Sequence, residues 1–177
     1  MQTLDRTNAA DLYWLAFLLT GQREASVGVT IETLDSQQGP HSFFATWMLA
    51  WSRKVVISKA LGAIREELAE SAQRVAALRG GKVAVRSRDW KLDEKASKIQ
   101  IERALLAIDT LPRCALLLST FEGASLEDAA ILLNADRELV RKAQMIGFQE
   151  LTHNLAQMQS SPSPAPDVFL TGEMQHA

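Results

Sequence analysis

The sequence is poor in the residues that staple or metallate small proteins. Its single cysteine, Cys114, has no disulfide partner, and the histidines His41, His153 and His176 lie far apart with no shared ligand spacing. No metal site is expected, and Cys114 is read as a small buried hydrophobe. There is no glycine-rich phosphate loop, nucleophile elbow or His-Glu-x-x-His motif, so neither enzyme catalysis nor a bound cofactor has support. The longest apolar stretch, Leu12 to Leu19, falls far short of the roughly 20 residues that span a bilayer. The first residues carry Asp5 and Asp11 rather than a basic patch and an apolar run, so no secretory signal is read there. A protein with no membrane segment, in the reducing cytoplasm, is expected.

An excess of positive charge is also missing. Lys plus Arg number 19 against 21 Asp plus Glu, a net charge of −2, so composition alone does not recommend a polyanionic partner. The charge is unevenly distributed, however. Arg74 to Arg103 is strongly basic, with Lys82, Arg86, Arg88, Lys91, Lys95 and Lys98 interrupted by Asp89, Asp93 and Glu94, whereas the flanks are acidic. Gly80-Gly81 falls in the same region, and together these features predict a basic linker over 80–98 between two helical segments. Such a linker is either a solvated tether or a phosphate-attracting arm, and Trp90 within it has the bulk to dock against something.

Apolar and polar residues nowhere alternate long enough to argue a sheet, while helical spacing recurs from end to end, so an all-α fold is expected. A first helix over Ala9 to Thr20 presents Leu12, Leu15, Phe17, Leu18 and Leu19 and ends at Gly21, where a left-handed residue is needed. A second covers Arg23 to Leu34. After the Gln37 to Pro40 turn, Ser42 caps a long helix whose stripe Phe44, Trp47, Met48, Trp51 and Val55 is expected to face the core. Its pattern runs on, with a break near Gly62, to the glycine pair.

Beyond the linker, Ile99 to Ile108 reads as a helix, and Pro112 suits the first turn of another that Gly123 closes. Ser125 then caps a short helix with Glu127 and Asp128 in its first turn, Asn134 ends it, and Asp136 caps a last helix to about Gln157. Helix, three-residue turn, helix is the helix-turn-helix pattern. The proline-rich run after Ser160 has no periodicity and is expected to be disordered. The chain thus divides into helical segments at 1–79 and 99–157, the 80–98 linker and a tail from 158 to 177.

The stretch LPRCALLLSTFEGASLEDAAILL, Leu111 to Leu133, with LYWLAFLLTGQRE at Leu12 to Glu24, the I-E-T-L of residues 31 to 34 and FATWML at Phe44 to Leu49, resembles bacterial sigma factors of the extracytoplasmic-function type. The order and spacing of these motifs, which cover most of residues 9 to 155, carry the resemblance. It implies two helical domains: a first that binds core RNA polymerase and opens promoter DNA, and a second that places its last helix in the major groove. Val27, Ile31, Glu32, Leu34 and Trp47 then fall on the polymerase-binding side. Arg137, Arg141 and Lys142 on the last helix, and Arg53, Lys54 and Lys59 on the long helix, are the candidate promoter contacts, because phosphates and base edges require basic and polar groups.

A bland reading stands beside each candidate. Trp47 and Trp51 have faces that stack on unpaired bases, but their spacing also fits core; Arg53, Lys54 and Lys59 also suit a solvated outer face. If Val140 faces inward, so do Gln144, Gly147 and Leu151, and the outward positions are Leu139, Arg141, Lys142, Ala143, Met145 and Ile146. Apolar groups at Leu139, Ala143, Met145, Ile146, Val27 and Ile31 in place of charged ones open an alternative: a sigma mimic that binds an anti-sigma factor or other regulator and not DNA.

Overall fold

All regular structure among the described residues is helical, as the apolar spacing predicts. The computed structural model describes residues 2–35, 45–78 and 97–160, with side chains for 9–35, 50–78 and 97–158. Helix α1 (Gln2–Thr20) begins earlier than expected and ends at Gly21, whose φ of +72° takes the left-handed conformation anticipated for it. Helix α2 (Arg23–Asp35) buries Ser26, Val29, Thr30 and Thr33. The hydroxyls on this inner face are satisfied locally: Thr30 donates to the Ser26 carbonyl and Thr33 to that of Val29, each at 2.7 Å. Buried polar groups so paired carry little desolvation penalty.

Helix α3 (Ala45–Ala63) corrects the expected core stripe. Ser52, Val56, Ala60 and Ile64 form the fully buried line, while Trp51 and Val55 are half-buried. Small residues at Ser52 and Ala60 let neighbouring backbones approach, so the larger side chains are turned to the flank. Phe44, Ser42 and the 37–40 turn lie outside the described residues. The break expected near Gly62 falls at Ile64, where φ −109° and ψ 22° separate α3 from α4 (Arg65–Ala77).

Ser97 caps α5 (Lys98–Leu106) in a reciprocal box, accepting from the Gln100 N–H while the Gln100 side chain accepts from the Ser97 N–H. Asp109 caps α6 (Thr110–Leu116), with Pro112 in its first turn, and α6 widens into a π-helical turn over Leu117–Phe121 before Gly123, φ +68°. Helices α7 (Leu126–Leu133) and α8 (Arg137–Ser160) complete the chain. Because α8 extends through Ser160, its last turn occupies the first residues assigned to the tail. The rest of the tail, and the linker up to residue 96, lie outside the described residues.

Helices from before and after residues 79–96 contribute to one buried cluster: Leu19, Val56 and Ile64 from the earlier helices, Leu105, Leu111 and Leu116 from the later ones. Helix α6 is the hub, packed on α8 and also meeting α1 and α4, while α3 reaches α7 and α4 reaches α8. Among the described residues no helix is long and apolar enough to cross a membrane.

Candidate functional site

The α7–turn–α8 unit is set by three side chains acting locally, Ser125 at the start of α7 and Asn134 and Asp136 in the turn. The Ser125 hydroxyl accepts from the Asp128 N–H at 3.0 Å, satisfying one free donor at the start of α7. Asn134 takes φ 49° and ψ 47°, the left-handed region that asparagine tolerates better than most residues. Asp136 accepts from the Leu139 N–H at 2.8 Å and starts α8. The exposed side chains at the beginning of α8 include Arg137, Glu138 and Arg141.

Most of the candidate nucleic-acid contacts already have protein partners. Arg137 pairs with Glu127 at 3.0 Å and Arg141 with Glu138 at 2.8 Å, both on the open surface where such pairs are worth little. Lys59 pairs with Glu32 at 2.7 Å, tying α3 to α2. Arg53 forks onto the Glu122 carboxylate at the end of α6, with Nε to Oε2 at 3.0 Å. That hydrogen bond is the main reason the Arg53 pKa rises above its ordinary value. Lys142 donates to the Leu78 carbonyl at the end of α4. Lys54 is exposed and makes no ion pair among the described residues. The six cations therefore divide between α3 and α8, and two of them, Arg53 and Lys142, bridge the two halves of the chain.

On α8 the outward assignment needs correction. Ala143 is fully buried beside Val140, Gly147 and Leu151, whereas Leu139, Met145 and Ile146 are half-buried, with Leu139 and Ile146 against the core. Helices α4 to α7 surround α8 closely enough that positions read as solvent-facing from one helical wheel meet a second neighbour. Gln144, expected inward, is also half-buried.

The α2 candidates are more open. Val27 is 46% and Ile31 53% exposed, one helical turn apart, and Glu32 is exposed beside them, while Leu34 is half-buried against the core. Trp47 lies in α3 but its side chain is outside the described residues.

Two clusters escaped the sequence reading. Arg113 is only 5% exposed and donates to the Ile108 carbonyl at 3.0 Å and, more distantly, to those of Leu106 and Leu19 at 3.5 Å; its Nε has no partner. It makes no ion pair among the described residues, so its charge faces the negative ends of α1 and α5. The signal was present: Arg113 is the one charged residue in the apolar run 111–118. Cys114 beside it is buried as expected, donates to the same Leu19 carbonyl, and has its thiol pKa pushed up to about 12 by burial.

In the second cluster Arg74 of α4 forks onto Asp109, with contacts of 2.7 and 3.1 Å, and Ser71 donates to the same carboxylate at 2.8 Å while accepting from the Leu111 N–H. The Arg74 hydrogen bond, chiefly, holds the Asp109 carboxyl below its ordinary range against partial burial, with Ser71 assisting. Glu150 on α8 is pushed the other way by burial and by the Asp109 charge.

Comparison with protein-family models, curated proteins and solved structures finds no match to this chain. Its functional reading therefore rests on its own residues.

Proposed function

We propose that the chain is a divergent sigma-factor-like transcription initiation factor of the cytoplasm, which binds core RNA polymerase and promoter DNA and performs no enzymatic reaction. The observation that carries the reading is the α7–α8 unit: a short helix capped by Ser125, a corner made by left-handed Asn134 and the Asp136 cap, and then exposed Arg137 and Arg141. A helix so presented suits docking in a major groove. In this reading α2 and α3 meet the polymerase through Val27, Ile31, Glu32, Leu34 and Trp47, Met145 and Ile146 on α8 belong to the same partner-binding set, and α8 reads the promoter with Arg137, Arg141 and Lys142. Replacing Arg141 and Lys142 together by alanine is expected to weaken duplex binding and to reduce the salt slope by about 2, one per lost phosphate contact. An unchanged slope would contradict the DNA-reading role.

A second reading has its own support. Val27 and Ile31 stand out on α2 while five of the six candidate cations are already partnered, which favours a sigma mimic binding an anti-sigma factor through α2. Ile31→Asp separates the two: in the mimic it abolishes regulator capture, and no duplex binding is seen with or without it.

A further inference from the structure

We infer that the protein holds itself in a closed, self-masked form, in which Arg53 and Lys142 clasp its two halves together and must be released before they can meet nucleic acid. The inference rests on the DNA-reading role proposed above and adds its regulation.

The clasp is seen in named contacts. Arg53 of α3 reaches across to Glu122 at the end of α6, a carboxylate that is only 11% exposed. Lys142 of α8 reaches back to the Leu78 carbonyl at the end of α4. Each of these cations is at once a candidate phosphate contact and a tie between segments that the linker joins. A phosphate and Glu122 compete for the same face of the Arg53 guanidinium, since a fork already engaged by one oxyanion cannot bind a second in the same geometry.

Other contacts, among them two side-chain bridges and the shared buried cluster, support the closed arrangement without involving the candidate contacts. The Trp14 indole N–H donates to Glu102 at 3.2 Å with Lys98 over the ring, and Arg74 grips Asp109. Closure therefore has support of its own, and nucleic acid binds with an affinity reduced by the fraction of molecules that are open. Glu122 is the masking group, because it occupies Arg53 and itself belongs to no candidate contact.

Cys114 supplies a built-in reporter. Its thiol is buried against the Leu19 carbonyl of the other half, where it is inert to exchange, and parting the halves uncovers it. The full chain is mixed with a chromogenic aromatic disulfide, with and without a fluorescent DNA duplex of about 30 base pairs at low salt, where phosphate contacts are strongest. The duplex is expected to accelerate Cys114 modification. Glu122→Gln is expected to accelerate it without DNA and to tighten duplex binding about three- to ten-fold, with the charge-reversing Glu122→Lys as a second, stronger variant.

The direction of the duplex effect is decisive. A ligand that bound the closed form would slow modification by protecting the native state. A duplex that binds but slows modification or leaves its rate unchanged overturns the clasp and leaves the DNA-reading role standing. No duplex binding by the wild type or by either Glu122 variant overturns the DNA-reading role and the inference with it.

Discussion

Gly147 of α8 lies so close to Pro112 of α6 that a Cβ placed on it would stand 2.5 Å from the Pro112 carbonyl oxygen. The obstacle is backbone, which cannot swing aside as a flexible side chain would, and it lies where α6 and α8 form the hub of the core. Gly147→Ala is therefore expected to cost about 1–3 kcal/mol. In a chain of this size that lowers the unfolding midpoint by roughly 2–4 °C per kcal/mol, read by thermal denaturation. Gly62→Ala provides the contrast. Gly62 sits in α3 with open space around it, so the same substitution is expected to stabilise by about 0.5–1 kcal/mol through helix propensity.

Arg113 is a buried cation that lies where the two halves meet. Its guanidinium lies between the carboxyl ends of α1 and α5, and nothing else described there donates to the Ile108 carbonyl. Arg113→Ala removes the donor to the buried Ile108 carbonyl and leaves the Leu19 carbonyl with only the weak Cys114 thiol donor, and is expected to cost about 2–4 kcal/mol in chemical denaturation. Arg113→Lys keeps the charge but lacks the planar fork that reaches several carbonyls at once, and most of the loss should remain.

The pH dependence of stability should be governed by two carboxyls shifted in opposite senses. Asp109 has its folded pKa depressed, so it stabilises the fold above its unfolded value and the contribution disappears as pH falls through the folded value. Asp109→Asn keeps a capping oxygen but not the charge; it should be less stable than wild type at neutral pH and equal to it in acid. Glu150 has its folded pKa raised, so its charged form opposes folding once pH exceeds the usual carboxylate range. Glu150→Gln should be more stable than wild type at neutral pH, with the gain vanishing in acid. Unfolding midpoints of both variants across pH 3 to 7, on the order of the carboxylate range and above, check both signs.

Local chemistry was the most legible part of the sequence. Ser125, Asn134, Asp136 and Gly21 do what their types and positions dictate, because a cap or a left-handed residue depends only on its immediate neighbours. Facing was less legible. Apolar spacing puts the α3 stripe on Phe44, Trp47, Met48, Trp51 and Val55; of these Trp51 and Val55 have described side chains, and both are half-buried beside a buried line of Ser52, Val56 and Ala60, since close helix packing selects small residues. A single helical wheel turns Ala143 outward because it does not include the second helix that covers this position. The pairing of Arg53 with Glu122 was invisible because it joins residues 69 apart in the chain, and sequence periodicity carries no information about such partners.

Val27 and Ile31 offer the sharpest test of the α2 surface. Both are about half exposed, so Val27→Asp and Ile31→Asp should leave the unfolding midpoint nearly unchanged, as surface substitutions usually do. If α2 docks on a partner through this ridge, each should weaken that binding at least about ten-fold by placing a charge in a desolvated contact. Titration of the labelled variants against the partner separates surface loss from unfolding.

The measurement closest to the central claim is binding of the fluorescently labelled protein to core RNA polymerase of the organism that encodes it, followed by anisotropy near physiological salt with a known sigma factor as competitor. The sigma-like account predicts saturable binding that the competitor displaces and that Ile31→Asp weakens. Absence of binding, or binding that the competitor does not displace, would contradict it.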